Sequence, residues 1–161
     1  MTMLHDSFQL TLEGARAALE AAERRAREID VPMNIAVVDD GGHLLAFVRM
    51  DGAKLSSVAI AINKAHSSAI RRQATGPYME GGEPNSLVSL GLAIGSQAAQ
   101  TPLRGGVPLV FADQMVGAIG VSNGSEDQDV AVAVAGAEAF GAACRAEPSA
   151  QRGFEAIEGD G

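Results

Sequence analysis

The run from Met33 to Arg49 constrains this chain more than any other. Met33 to Val38 reads Met-Asn-Ile-Ala-Val-Val, Asp39-Asp40-Gly41-Gly42 follows, and Leu44 to Arg49 reads Leu-Leu-Ala-Phe-Val-Arg. Val and Ile favour a pleated, half-buried backbone, and Asp-Gly and Gly-Gly tolerate the positive φ of tight turns. The two apolar runs are therefore expected to pair as an antiparallel hairpin.

Helical patterns flank it. From Thr11 to Ile29, Leu12, Ala15, Leu19, Ala22, Ala26 and Ile29 recur in steps of three and four, while Arg16, Glu20, Glu23 and Arg24 fall elsewhere. That is an amphipathic helix, with Glu20 and Arg24 placed for an exposed pair of roughly 0.2–0.5 kcal/mol. Pro32 blocks its continuation. Beyond Asp51-Gly52, Ser56 or Ser57 can cap a second helix whose apolar stripe is Val58, Ile62, Ala65 and Ala69, ending near Arg72.

Further along, Gly76-Pro77 and Gly81-Gly82-Glu83-Pro84 make residues 73–84 an expected irregular surface loop around Tyr78. Residues 86–100 are rich in Leu, Ala and Gly and read as a helix loosened by Gly91 and Gly95. Val107 to Phe111 and Met115 to Val121 form a second expected hairpin around Asp113-Gln114, with Pro108 suited to an edge. Ser125-Glu126-Asp127-Gln128 matches a capping box and opens a last helix through Val130, Val134 and Ala137 towards Cys144. One domain over residues 1–146 is expected, with a polar, flexible tail over 147–161.

Twelve Lys and Arg against twenty Asp and Glu give a formal net charge of −8, which repels phosphate backbones and anionic lipid, so neither nucleic acid nor a membrane is an expected partner. The lone Cys144 allows no internal disulfide, and no Cys/His spacing suits a zinc site, so no metal site is expected. The N-terminus lacks the basic-then-apolar pattern of a secretory signal, which implies a cytoplasmic protein. With no Trp and abundant Ala, Val and Gly, packing must rest on small side chains that can continue into subunit contacts.

Several stretches together resemble the GlcG/HbpS-like family, described as haem-binding or haem-degrading and related to the C-terminal domain of PduO-type proteins. They are Val37 to Phe47, Arg49-Met50-Asp51-Gly52-Ala53, Lys64-Ala65-His66, Gly105 to Leu109, Gly117 to Ser122, and Gln128-Asp129. The resemblance implies an α+β fold, a central antiparallel sheet of about five strands flanked by helices, assembled as a homo-oligomer. It implies haem or a related tetrapyrrole as a ligand. Ser67 stands where many members have Thr, and Asn123 where glycine is common.

Among candidate site residues, His66 is the leading one, because imidazole titrates near neutrality and ligates metals. Lys64 and His66, two positions apart on a helix, point about 200° away from each other and cannot act as a dyad. Arg49 can bind a carboxylate bidentately, with Asp51 beside it either as a proton carrier or as the partner of an Arg–Asp pair at the strand-to-helix corner. Asp39 can be a pocket carboxylate or a turn former that bonds its own backbone. His43, Lys64, Ser67, Gly120, Asn123 and Asp129 complete the candidate ligand-binding set.

Three functions compete on these residues. The first is a small-molecule-binding oligomer with a tetrapyrrole pocket built on Arg49 and His66. The second is a cofactor-independent lyase, isomerase or hydrolase of a catabolic pathway, in which Arg49 anchors an organic acid and His66 or Asp51 moves a proton. The third is an assembly subunit without pocket chemistry.

Overall fold

Helix α1 (Leu12–Glu28) begins where the Thr11 hydroxyl accepts the Gly14 amide at 3.1 Å, satisfying one of the free donors of a helix start. The computed structural model describes Met3 and residues 7–147, so the expected tail, save Glu147, and His5 lie outside the described residues. The buried side of α1 is almost pure alanine: Ala15, Ala18, Ala21, Ala22 and Ala26, with Leu19. Leu12, at the first helical position, is exposed instead. The ion pairs on the solvated side are Arg25–Glu28 and Arg27–Glu23 rather than Glu20–Arg24.

Strands β1 (Asn34–Asp39) and β2 (Leu44–Arg49) form the expected hairpin. Helix α2 (Ser57–Arg71) follows. Ser56 holds its N-cap position without a side-chain bond. The corner is tied by Asn123 instead, which accepts from the Lys54 amide at 3.0 Å and donates to the Pro32 carbonyl at 2.6 Å. Asn123 sits at φ 141°, in the region that favours glycine. Within the segment expected to be irregular, β3 (Met79–Glu80) and β4 (Glu83–Pro84) make a small separate hairpin. Helix α3 (Ser86–Gly95) is capped by Asn85, whose side chain accepts from Val88.

Strands β5 (Gly106–Phe111) and β6 (Gln114–Ser122) pair around Ala112 and Asp113, at φ 47° and 60°, one residue earlier than expected. Helix α4 (Glu126–Ala146) opens on the full Ser125/Gln128 capping box. The main sheet is antiparallel in the order β2-β1-β6-β5, four strands where about five were implied, because residues 79–84 pair only with themselves. Pro108 lies on the edge strand β5. Beside it, Thr75 donates its amide to the Gly106 carbonyl at 2.9 Å and accepts the Gly106 amide on its hydroxyl at 2.8 Å.

Alternation along β1 divides the interior. Ile35 and Val37 join Leu109, Ile119, Val121, Val132 and Phe140 beneath α1 and α4, whereas Ala36 and Val38 meet Ala65, Ala69 and Ala118 beneath α2. The α2 side is built for contact without side chains between backbones. A Cβ on Gly120 would overlap the Ala61 carbonyl oxygen and the Ala65 amide nitrogen. That contact fixes α2, and with it His66, at one height over the sheet.

Candidate functional site

The β1–β2 turn is organised by Asp39. One of its carboxylate oxygens accepts the amides of Gly41 at 3.0 Å and His43 at 2.8 Å, and the His43 ring lies 3.3 Å from the same atom. This is the self-bonded turn carboxylate weighed above. Partial burial works to raise its pKa, but the two amides and the His43 ring outweigh it and hold the carboxyl below its ordinary value of 3.8. A lowered folded value means stability that is present above 3.8 and lost as pH falls through the folded value. Asp39→Asn is therefore expected to lower the melting temperature at neutral pH, with the gap to wild type closing below pH 3.8. Parallel thermal scans across that range check it.

The turn carries His66. Its Nδ1 lies 3.0 Å from the Gly42 carbonyl oxygen. A carbonyl only accepts, so Nδ1 bears a proton, and in the neutral ring the lone pair is on Nε2. Gly42 is required twice: it sits at φ 84°, and a Cβ there would collide with the His66 ring. Ile62, His66 and Ile70 follow one another at four-residue steps on one face of α2. Phe47 and Met115 pack with Ile62 against the small core beneath that helix, and the imidazole itself is half-buried.

At the same end of the sheet the two hairpin turns border an open cleft of about 850 Å³, with Asp40 and Asp113 on the turns, Pro108, Val110 and Met115 as its apolar lining, and Arg72 as its cation. Arg72 ends α2 in the left-handed conformation, φ 55°, about 9 Å along the helix from His66. The sequence marks it only as the place where the helix stops. An exposed Arg on a helix terminus carries no local signal of its own. Only the meeting of the two hairpins gives it a cleft to line.

The other candidates are dispersed. Lys64 and Asp129 meet each other: Lys64 Nζ donates to Asp129 Oδ2 at 2.7 Å and to the Val121 carbonyl at 2.9 Å, with side chains 3% and 4% exposed. Burial raises the Asp129 pKa, although Lys64 and the Gly124 and Asn123 amides oppose it. Both functional groups are consumed in a link between α2, β6 and α4. Ser67 is fully buried and accepts the Thr101 amide at 3.1 Å. Gly120 and Asn123 serve packing and the α2 corner. At the α4 start the Gly124 amide donates to Asp129, the Ser125 amide to the Gln128 side chain, and the Gln128 amide to the Ser125 hydroxyl.

Arg49 and Asp51 are exposed and form no ion pair among the described residues. Arg49 pairs in register with Asn34, at the far end of β2 from the turn. Five residue steps along the strand separate it from Leu44, about 17 Å, so a small acid anchored on Arg49 does not reach His66 of the same chain. His43 is exposed on the turn. Among the described residues no group of three or more His, Cys, Asp or Glu could hold a metal ion. Burial pushes the Cys144 thiol up, away from reactivity.

Comparison with known proteins places these features in a context. A family model described as haem degrading protein HbpS-like matches residues 10–138. The protein GlcG of Escherichia coli strain K12 is 38% identical over 114 residues, covering 70% of this chain and 81% of its own. The crystal structure of Klebsiella pneumoniae protein ORFY is 33% identical with a TM-score of 0.77, covering 87% of this chain and 96% of that one. The crystal structure of a PduOC:heme complex is 27% identical with a TM-score of 0.71, covering 82% and 95%.

Proposed function

Because the chain belongs to the HbpS-like family of haem-degrading proteins, we propose that it binds haem or a related tetrapyrrole through His66 and works as a homo-oligomer. The observation that carries this is the bond between His66 Nδ1 and the Gly42 carbonyl. It selects the tautomer with an unprotonated Nε2 and orients the ring, the arrangement that metal-ligating histidines use. A heme-bound relative of the same fold supports it.

The residues fit such a ligand. His66 Nε2 would hold the group, and haem, when bound, would supply the iron. The chain supplies a ring held by backbone, with Ile62 one turn before it on the same helix face, and Arg72, about two turns on, to meet a carboxylate side arm. No helix among the described residues is long and apolar enough to cross a membrane. The proton-transfer reading has less support: Arg49 and His66 stand at opposite ends of β2, which leaves it the exposed Asp51, two residues from Arg49, as its base.

Hemin titration followed at the Soret band tests the proposal. Wild type is expected to saturate with a shifted band, and His66→Ala to bind at least about ten-fold more weakly with far-UV circular dichroism unchanged. Gly42→Ala, which displaces the ring while leaving the imidazole present, is expected to weaken binding about ten-fold to a hundred-fold. An absent shift in wild type, or an identical titration in His66→Ala, would sink the proposal.

A further inference from the structure

Asp39 is the last residue of β1, and its backbone pairs with Gly117 on the central strand β6. It belongs to the sheet. The regular register with β2 breaks between Val37 and Val38, so the ladder alone does not orient the turn that follows. Gly41 and Gly42 in that turn have the widest backbone freedom of any residue type. The Gly42 carbonyl nevertheless holds one direction, 3.0 Å from His66 Nδ1.

The peptide between Gly42 and His43 explains it. Its amide hydrogen and its carbonyl oxygen lie in one plane and point opposite ways, because the bond is trans. Asp39 Oδ1 accepts that amide at 2.8 Å on one side, and the Gly42 oxygen meets His66 Nδ1 on the other. The main chain of Asp39 also accepts the Gly42 amide at 3.1 Å and donates to the His43 carbonyl at 2.9 Å. Those bonds are open to any residue with an amide, and neither holds this peptide plane. The Gly41 amide, at 3.0 Å from the same carboxylate oxygen, steadies the carboxylate itself. A peptide whose amide is bonded to a carboxylate is also polarised into a better acceptor at its carbonyl.

We propose that Asp39 is a positioning residue for His66, acting through the peptide between Gly42 and His43. The assignment rests on the haem reading of His66 and adds the group that fixes which ring nitrogen is free for a metal. Its place is that of the outer carboxylate behind a metal-binding histidine, with one peptide interposed.

Two substitutions separate positioning from stability. Asp39→Ala removes the acceptor, whereas Asp39→Asn keeps an oxygen in its place without the charge. In the full chain without hemin, nitrogen NMR of the imidazoles at about pH 8.5, where the ring is neutral, reads the tautomer, with His66→Ala identifying the signals. Wild type and Asp39→Asn are expected to show His66 protonated on Nδ1, and Asp39→Ala a mixture of both tautomers. Hemin is expected to bind Asp39→Ala about ten-fold more weakly, and Asp39→Asn within about three-fold of wild type despite its lower melting temperature. In a His66→Ala background, Asp39→Ala is expected to leave hemin affinity unchanged, since it acts only through that ring. Should Asp39→Ala fail to fold, Asp39→Ser takes its place in each measurement. An unchanged tautomer or wild-type hemin affinity in the folded variant overturns the assignment, as does an equal loss of affinity in the His66→Ala background. A wild type that binds no hemin sinks the haem reading instead, and the tautomer alone then decides whether Asp39 positions the ring.

Discussion

Replacing Lys64 with methionine is expected to cost about 3–5 kcal/mol of folding stability, the loss that follows when one member of a buried ion pair is removed. Methionine keeps the aliphatic stem and removes only the ammonium, so the effect reports the charge. What is left is the Asp129 carboxylate, 4% exposed, with the Gly124 amide at 2.9 Å as its remaining short hydrogen bond. For a chain of 161 residues, that loss lowers the melting temperature by roughly 10 °C.

The pH dependence has a definite sign. Burial already raises the Asp129 pKa in the native protein, and loss of Lys64 raises it further. A folded value above the unfolded one means stability that is full below the ordinary value of 3.8 and is lost as pH rises through the folded value. Lys64→Met is thus expected to be nearer wild type at pH 4 than at pH 8 in urea unfolding. Lys64→Met/Asp129→Leu is expected to recover most of the loss, since an apolar pair of similar volume is often neutral or better. A cost below about 1 kcal/mol in the single variant would refute this account of the pair.

Gly120→Ala is expected to be nearly as damaging, at about 3 kcal/mol, the upper part of the usual range for overpacking. The added methyl meets backbone on the Ala61 and Ala65 side, and backbone cannot rotate aside as a side chain can. Helix α2 must lift, and His66, the residue after Ala65, moves with it, so hemin affinity is expected to fall in the same variant. Gly76→Ala is the control. Its Cβ would have only the Arg104 side chain near it, at 3.9 Å, and a change within about 0.5 kcal/mol is expected.

The features that could be read in the sequence are those encoded within a few residues. The Asp-Asp-Gly-Gly turn, the Ser125/Gln128 box and the three-and-four spacing of α1 each specify local backbone geometry, and all three form. Helix α2 illustrates the boundary. Its periodicity separated Lys64 from His66 correctly, but nothing local said that Lys64 would meet Asp129, 65 positions away, because that pairing depends on how the strands stack. The same applies to Arg72 and its cleft. For Arg49 and His66 the local view misled in the other direction. Both lie in stretches that carry the family resemblance, yet β2 sets Arg49 at the end of the sheet opposite the turn that holds His66. The α3 segment was legible as a helix, but not as one left exposed, since composition alone makes such a helix look like core.

The outer rim of β5 has a consequence for how this protein behaves when crowded. Thr75 occupies both hydrogen-bonding groups of Gly106, and Pro108 has no amide hydrogen to offer. The opposite rim of the sheet is β2. Strand addition needs a donor and acceptor row on each molecule. With Gly106 taken by Thr75 and no donor at Pro108, the β5 rim offers an added strand only an interrupted row, which disfavours edge-to-edge pairing on that side.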